Sequence, residues 1–293
     1  MLPNSFNPEL LRQLQLLKLQ ARRSFLGSKQ GGHLSLRRGH GIEFADYRKY
    51  EVGDNPRDID WAVYARSDRL YIKRFQEEQD LTVLIVLDCS ASMGTPAKER
   101  KWERARDLAL AVAYVSLMQQ DTVLFSALGK MHSPHCFGAR AIHNLSKLVV
   151  DIRPAGDLDL VREVQLAASR VRFPGIAIFV SDFLMPLSDI FGAFDALRAK
   201  NLDISAIQVL SDSDLAPWLN ATQATFVDSE SGEEMTLLLD NNGQEQYQRI
   251  LKRHNQELLQ YLLDVQISYS QTVASQEFDQ SIIDCLVESG LLK

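Results

Sequence analysis

The sequence predicts an α/β protein built on a doubly wound, mostly parallel sheet with helices on both faces, preceded by an N-terminal helix and a short-strand extension. Three observations predict it. The run LTVLIVL at 81–87 is continuous, apolar and β-rich, the pattern of a strand buried on both faces rather than one. Comparable runs recur as TVLFSAL at 122–128, IAIFVSD at 176–182 and ISAIQVL at 204–210, with helical stretches between them. Two of these strands end abruptly in a carboxylate, at Asp88 and Asp182.

In chain order, residues 8–25 carry Leu10, Leu11, Leu14 and Leu17 at the spacing of an amphipathic helix. The glycine-rich GGHLSLRRGHG separates that helix from the next segment, residues 42–80, which reads as short strands and turns around GDNPRDIDW. A boundary is expected there, with residues 1–80 as an N-terminal helix and extension and 81–293 as the main domain. After the first buried strand, residues 100–119 read as a long helix with Trp102, Ala105, Ala109, Val112 and Leu117 spaced for burial. Further helices are expected at 141–150, 158–172 and 187–199. The segment 224–239 reads as a hairpin on or near the sheet edge, followed by a helix at 244–263, a strand at 266–273 and a last helix at 278–289.

Composition sets outer bounds. The 293 residues are 45% hydrophobic and 24% charged, the balance of a globular protein. No run approaches the roughly 18 apolar residues of a membrane span, and MLPNSFNPEL lacks the basic-then-apolar order of a secretory signal, so a cytoplasmic location without an integral membrane segment is expected. Cys89, Cys136 and Cys285 are odd in number and scattered, which gives neither a disulfide framework nor a zinc spacing. A net charge of −6 argues against general nucleic-acid binding, although residues 22–74 hold twelve Lys/Arg against seven Asp/Glu.

Ligand sites in open α/β sheets lie beyond the carboxyl ends of the strands, where the strand order reverses. Asp88 and Asp182 stand at two such ends. In Asp88-Cys89-Ser90-Ala91-Ser92 the alternate residues offer one carboxylate and two hydroxyls to a common point if the loop curls, with Cys89 and Ala91 turned inward. Hard oxygen donors of this kind suit Mg²⁺ before Mn²⁺ or Ca²⁺, and the lack of nearby His and Cys ligands speaks against zinc. The plainer alternative makes Asp88, Ser90 and Asp182 helix caps.

DCSASMG matches the DxSxS motif of von Willebrand A domains, the metal-ion-dependent adhesion site. The longer segments RGHGIEFADYRKYEVGDNPRDIDWAVYAR, LYIKRFQEE and FVSDF resemble domain-of-unknown-function family 58 (DUF58), a family associated with MoxR-type AAA+ ATPases. The similarity runs from about Gly31 to the end of the chain. The resemblance implies a von Willebrand A-like fold, Asp88, Ser90 and Ser92 in the first site loop, Asp182 in the third, a protein partner, and no catalytic activity. The second loop departs from the pattern: where such domains usually offer a Thr after a Gly, this chain has Asp157 after Gly156. Asp157 either supplies an internal carboxylate to the metal, competing with one from the partner, or is solvated and caps the next helix.

Other features favour plainer readings. GDNPRDIDW is better suited to internal Arg–carboxylate bracing than to recognition, and the aromatic residues around it to a local core. His132, His135 and Cys136 share one loop with no fourth ligand in sequence. No nucleotide loop is present, since Leu124 stands where GxxxxGK ending at Gly129-Lys130 needs its first glycine. The competing function is a metal-dependent phosphohydrolase using Asp88, but Ser90 stands where such an enzyme would need an acid, and no histidine adjoins either strand-end Asp.

Overall fold

The computed structural model describes residues 2–17, 19, 43–54, 56–76, 81–171, 175–216, 223–227, 234–238, 241–288 and 290. The chain divides into two compact units, Met1–Phe25 with Leu81–Lys293, and Leu26–Asp80. The boundary expected near residue 80 is thus one edge of the smaller unit, while the first helix belongs to the larger one. That helix, α1 (Pro8–Leu16), opens with Pro8 in its first turn and with Asn7 accepting the Leu10 N–H at 2.7 Å. It ends earlier than the leucine spacing suggests, because Leu17 turns extended. Of the rest of the expected helix only Leu19 is described, as an isolated bridge residue.

In the smaller unit, β1 (Glu43–Lys49) leads to α2 (Trp61–Ser67) and then to β2 (Tyr71–Gln76), which pairs antiparallel with β1. Asp60 caps α2, accepting from the Ala62 and Val63 N–H groups at 2.9 and 3.2 Å, and receives the Tyr47 hydroxyl at 2.9 Å. Arg48 donates to Asp54 at 2.7 Å, and Asp54 also accepts the Glu51 N–H. These alternating charges fasten the unit to itself. The glycine-rich segment 31–41 lies outside the described residues.

The larger unit continues with β3 (Thr82–Leu87), α3 (Lys101–Met118), β4 (Thr122–Ala127), and the short β5 (Met131–His132) and β6 (Cys136–Phe137). Next come α4 (Ala141–Val150), α5 (Leu160–Ser169), β7 (Gly175–Ser181), α6 (Leu187–Arg198), β8 (Asp203–Leu210) and the short α7 (Asp212–Leu215). The chain then forms β9 (Gln223–Val227), β10 (Glu234–Leu238), α8 (Asn241–Asp264), β11 (Ser268–Val273) and α9 (Phe278–Glu288). The main sheet has the order β11-β8-β7-β3-β4-β5, with β6 also on β4. Strands β3, β4, β7, β8 and β11 are parallel, and the short β5 and β6 are antiparallel. From β3 the chain runs outward through β4 to one edge, then returns to β7 on the other side of β3 and runs to the opposite edge. The order therefore reverses between β3 and β7, which is the doubly wound arrangement.

The pleat sorts the strand residues into two cores. Val83, Ile85, Leu87, Ile176, Ile178 and Val180 face the layer of α1, α3, α4 and α9. Leu84, Val86, Ala177 and Phe179 face α5, α6 and α8. Burial on both sides is why these strands show no polar alternation. Helix α3 is buried over most of its length. Several of its polar groups find partners inside, although the buried Trp102 Nε1 has none among the described residues: Arg104 donates to the carbonyls of Ala274 and Gln276 and lies over the Phe278 ring at 4.9 Å, and Asp107 receives Arg106 and Ser5. Gln15 donates to the Tyr114 hydroxyl at 2.6 Å, fastening α1 to α3.

The expected hairpin differs in place. β9 and β10 pair with each other as a separate two-stranded sheet and do not extend the main one, and the turn joining them lies outside the described residues. Among the described residues no helix is long and apolar enough to cross a membrane.

Candidate metal centre

The strand order reverses between β3 and β7, and Asp88 and Asp182 stand at the carboxyl ends of these two strands. Asp88 continues the sheet for one more bond, its N–H donating to the Val180 carbonyl at 3.0 Å. This brings its side chain alongside the end of β7. It is fully buried. Its Oδ1 accepts the Ser90 N–H at 2.8 Å, curling the loop, and its Oδ2 accepts the Ser181 hydroxyl at 2.6 Å. The curl brings the Ser90 and Ser92 hydroxyls within 3.0 Å of one another, as the alternate spacing requires. Cys89 is buried in the core as expected, and burial pushes its thiol pKa up.

Capping does not account for this loop. After Ser90 the chain forms two 3₁₀ turns, Ala91–Gly94 and Ala97–Glu99, and neither these nor α3, which begins after Arg100, receives a side-chain cap. Asp182 is no cap either: its Oδ1 accepts the Leu184 N–H at 3.2 Å, whereas α6 begins after Pro186 without a side-chain cap.

Asp182 is fully buried and held on several sides. Its Oδ2 accepts the Lys101 ammonium at 2.8 Å, and its carbonyl accepts the Gln208 amide at 2.7 Å. The next residue, Phe183, has φ +51, a left-handed conformation that a bulky side chain adopts only when its surroundings impose it. Here the ring packs edge-on against Phe179 at 5.1 Å, its N–H donates to the Ser181 hydroxyl, and its carbonyl meets His254 of α8 at 2.7 Å.

The second loop lies against the first through backbone bonds, Ala155 N–H to the Cys89 carbonyl at 3.1 Å and Ala91 N–H to the Gly156 carbonyl at 3.3 Å. A Cβ on Gly94 would stand 2.8 Å from Pro154 Cγ, so the two loops touch there. Asp157 is exposed at this rim, with Oδ1 accepting the Leu158 N–H at 2.8 Å. The cap of α5 is Asp159 rather than Asp157, accepting the Arg162 N–H at 3.1 Å.

The buried charges act on one another. Burial, and then the neighbouring Asp182 charge, raise the Asp88 pKa against the opposing hydrogen bonds from Ser181 and Ser90. Burial alone would depress Lys101, but Asp182 and Asp214 outweigh it and its pKa is raised. Two carboxylates and two hydroxyls on one rim fit a hard divalent ion that retains water. Among the described residues no group of three or more His, Cys, Asp and Glu side chains is gathered to hold a metal, so any ion here would rely on two carboxylates, hydroxyls and water. His132 meets the Ser126 hydroxyl at 3.0 Å instead of sharing a ligand set with His135 and Cys136.

Sequence reasoning missed Ser181, Lys101, Gln208 and His254. Ser181 was legible as the residue before a strand-end Asp, and Lys101 as a cation at a helix N-terminus, where the dipole disfavours it. Gln208 and His254 give no local signal.

An uncharacterized protein of Mycobacterium bovis, Mb1516, is 26% identical over 262 residues, spanning 85% of this chain and 80% of its own. Among solved structures, the conserved hypothetical protein BatB from Bacteroides thetaiotaomicron aligns with a TM-score of 0.41 at 14% identity over 72% of this chain and 98% of its own. A von Willebrand factor type A structure from Catenulispora acidiphila aligns with a TM-score of 0.32 at 14% identity, over 49% of this chain and 35% of its own. The family model described as "Protein of unknown function DUF58" matches residues 46–257, most of the chain, and the chain belongs to that family.

Proposed function

We propose that this chain is a non-catalytic, metal-dependent protein-interaction module. Asp88, Ser90, Ser92 and Asp182 would hold Mg²⁺, with Mn²⁺ or Ca²⁺ as substitutes, and Asp157 stands at the rim as a further donor. The observation that carries this reading is the convergence of two buried strand-end carboxylates and two adjacent hydroxyls at the point where the strand order reverses. A bound cation supplies a Lewis-acidic position for a carboxylate offered by a partner. The chain's own residues fix where that position lies: Ser181 and the Ser90 N–H orient Asp88, and Lys101 with Gln208 orients the Asp182 loop. Half-buried Ser92 and exposed Asp157 mark the side a partner approaches.

A phosphohydrolase is less well served. Ser90 stands where such an enzyme would carry its acid, and no histidine adjoins either strand-end Asp in sequence.

The family resemblance supplies the partner class, a MoxR-type AAA+ ATPase acting with this module in protein maturation or complex assembly. The test is binding of the chain to the MoxR-type ATPase of its own organism, measured in Mg²⁺ and in EDTA, for wild type and Asp88→Ala. Binding that needs both the metal and Asp88 supports the reading. Metal-indifferent binding, or none, overturns it.

A further inference from the structure

Lys101 is the first residue of α3 and is buried, with Nζ donating to Asp182 Oδ2 at 2.8 Å and to Asp214 Oδ2 at 3.0 Å. An ammonium in this place opposes the dipole of its own helix and has left water, so it persists only because two carboxylates accept it. One acceptor belongs to the metal-donor set. The other does not, and it is anchored independently. Asp214 shares a capping box with Ser211, its carbonyl accepts the Tyr247 hydroxyl at 2.6 Å, and Glu99 accepts from the backbone and hydroxyl of the neighbouring Ser213. Lys101 therefore has a second, fixed carboxylate on which to rest if Asp182 is engaged elsewhere.

We propose that Lys101 is the resident counter-ion of the metal site: it neutralises Asp182 when no metal is present, and it yields to a divalent cation by falling back on Asp214. The inference rests on the metal-site reading above. Its consequence is a site that stays folded without metal and binds metal exchangeably. A positive charge bonded to a ligand carboxylate opposes a second cation there, and removing that charge tightens binding.

The experiment is titration of the full chain with Mn²⁺ alone, following free Mn²⁺ by electron paramagnetic resonance, for wild type, Lys101→Met and Asp214→Asn, with folding checked by circular dichroism. Lys101→Met is expected to bind Mn²⁺ at least about tenfold more tightly than wild type. Asp214→Asn, which leaves Lys101 with Asp182 alone, is expected to bind it about threefold or more weakly. A lysine that merely braced the loop would give the opposite sign in the first variant, because its loss would loosen Asp182. Wild-type binding with equal or weaker binding in Lys101→Met overturns the counter-ion and leaves the metal site standing. Absence of binding in both folded proteins overturns the metal site itself, and the counter-ion with it. If Lys101→Met does not fold, Asp214→Asn decides, and unchanged or tighter binding there overturns the proposal.

Discussion

The Ser181 hydroxyl donates to Asp88 Oδ2 at 2.6 Å while accepting the Phe183 N–H at 3.0 Å, so one small side chain ties the first site loop to the third. Both bonds are buried, and losing the hydroxyl strands an acceptor and a donor at once. Ser181→Ala is expected to cost about 1–3 kcal/mol of unfolding free energy, read as a lower urea midpoint at unchanged slope. An unchanged midpoint would mean that the bond does not hold the loops together.

Asp88 combines a stability cost with the site's chemistry. Its folded-state pKa is raised, chiefly by burial and secondly by Asp182. The folded protein thus holds this proton to higher pH than the unfolded chain does. The stability linked to that proton is fully present below the unfolded-state carboxylate value and is lost as pH rises through the folded one. Asp88→Asn removes that loss, but it exchanges one accepting oxygen for an NH₂ and so gives back part of the gain at the Ser90 or Ser181 contact. In EDTA at neutral pH the variant should melt at a higher temperature, by about 2–4 °C for each kcal/mol gained, and the two curves should converge in acid. A variant less stable than wild type at neutral pH would contradict this.

Gly94 and Pro154 meet where the first two loops touch, and a Cβ at Gly94 would lie 2.8 Å from a rigid ring carbon. Gly94→Ala is expected to cost about 1–3 kcal/mol through overpacking. Pro154→Ala in the same chain removes the clashing carbon and should restore most of that loss. A double-mutant cycle with no coupling would show that the loops are free to move apart.

Asp157 is exposed beside the first loop, and in the proposed reading it is a further donor to the metal. Asp157→Thr is expected to weaken divalent-metal affinity and to strengthen binding of a partner carboxylate, both measurable by calorimetry. If neither changes, Asp157 is a solvated loop residue.

The sequence made the sheet legible because β3, β4, β7 and β8 are buried on both faces, which leaves uninterrupted apolar runs between polar loops. It made Asp88, Ser90, Ser92 and Asp182 legible because strand ends and alternate spacing are local patterns. The end of α1 was not legible: leucine spacing continues through Leu17, while the termination depends on Leu17 turning extended. Nor was the place of β9 and β10, since hairpin chemistry specifies their mutual pairing and not their attachment to another strand. The supports of the site were hidden for a related reason. Gln208 and His254 reach it from β8 and α8, and only the closed fold brings those elements to one rim.

The central claim is that the rim between β3 and β7 binds one divalent cation through its strand-end carboxylates. Calorimetric titration of the chain with Mg²⁺ and Mn²⁺ tests it most directly, with Asp88→Ala and Asp182→Ala as comparisons. Saturable binding at a single site in wild type, abolished in both folded variants, is the predicted result. Folded wild type that binds neither ion, or binding that survives both substitutions, would contradict it.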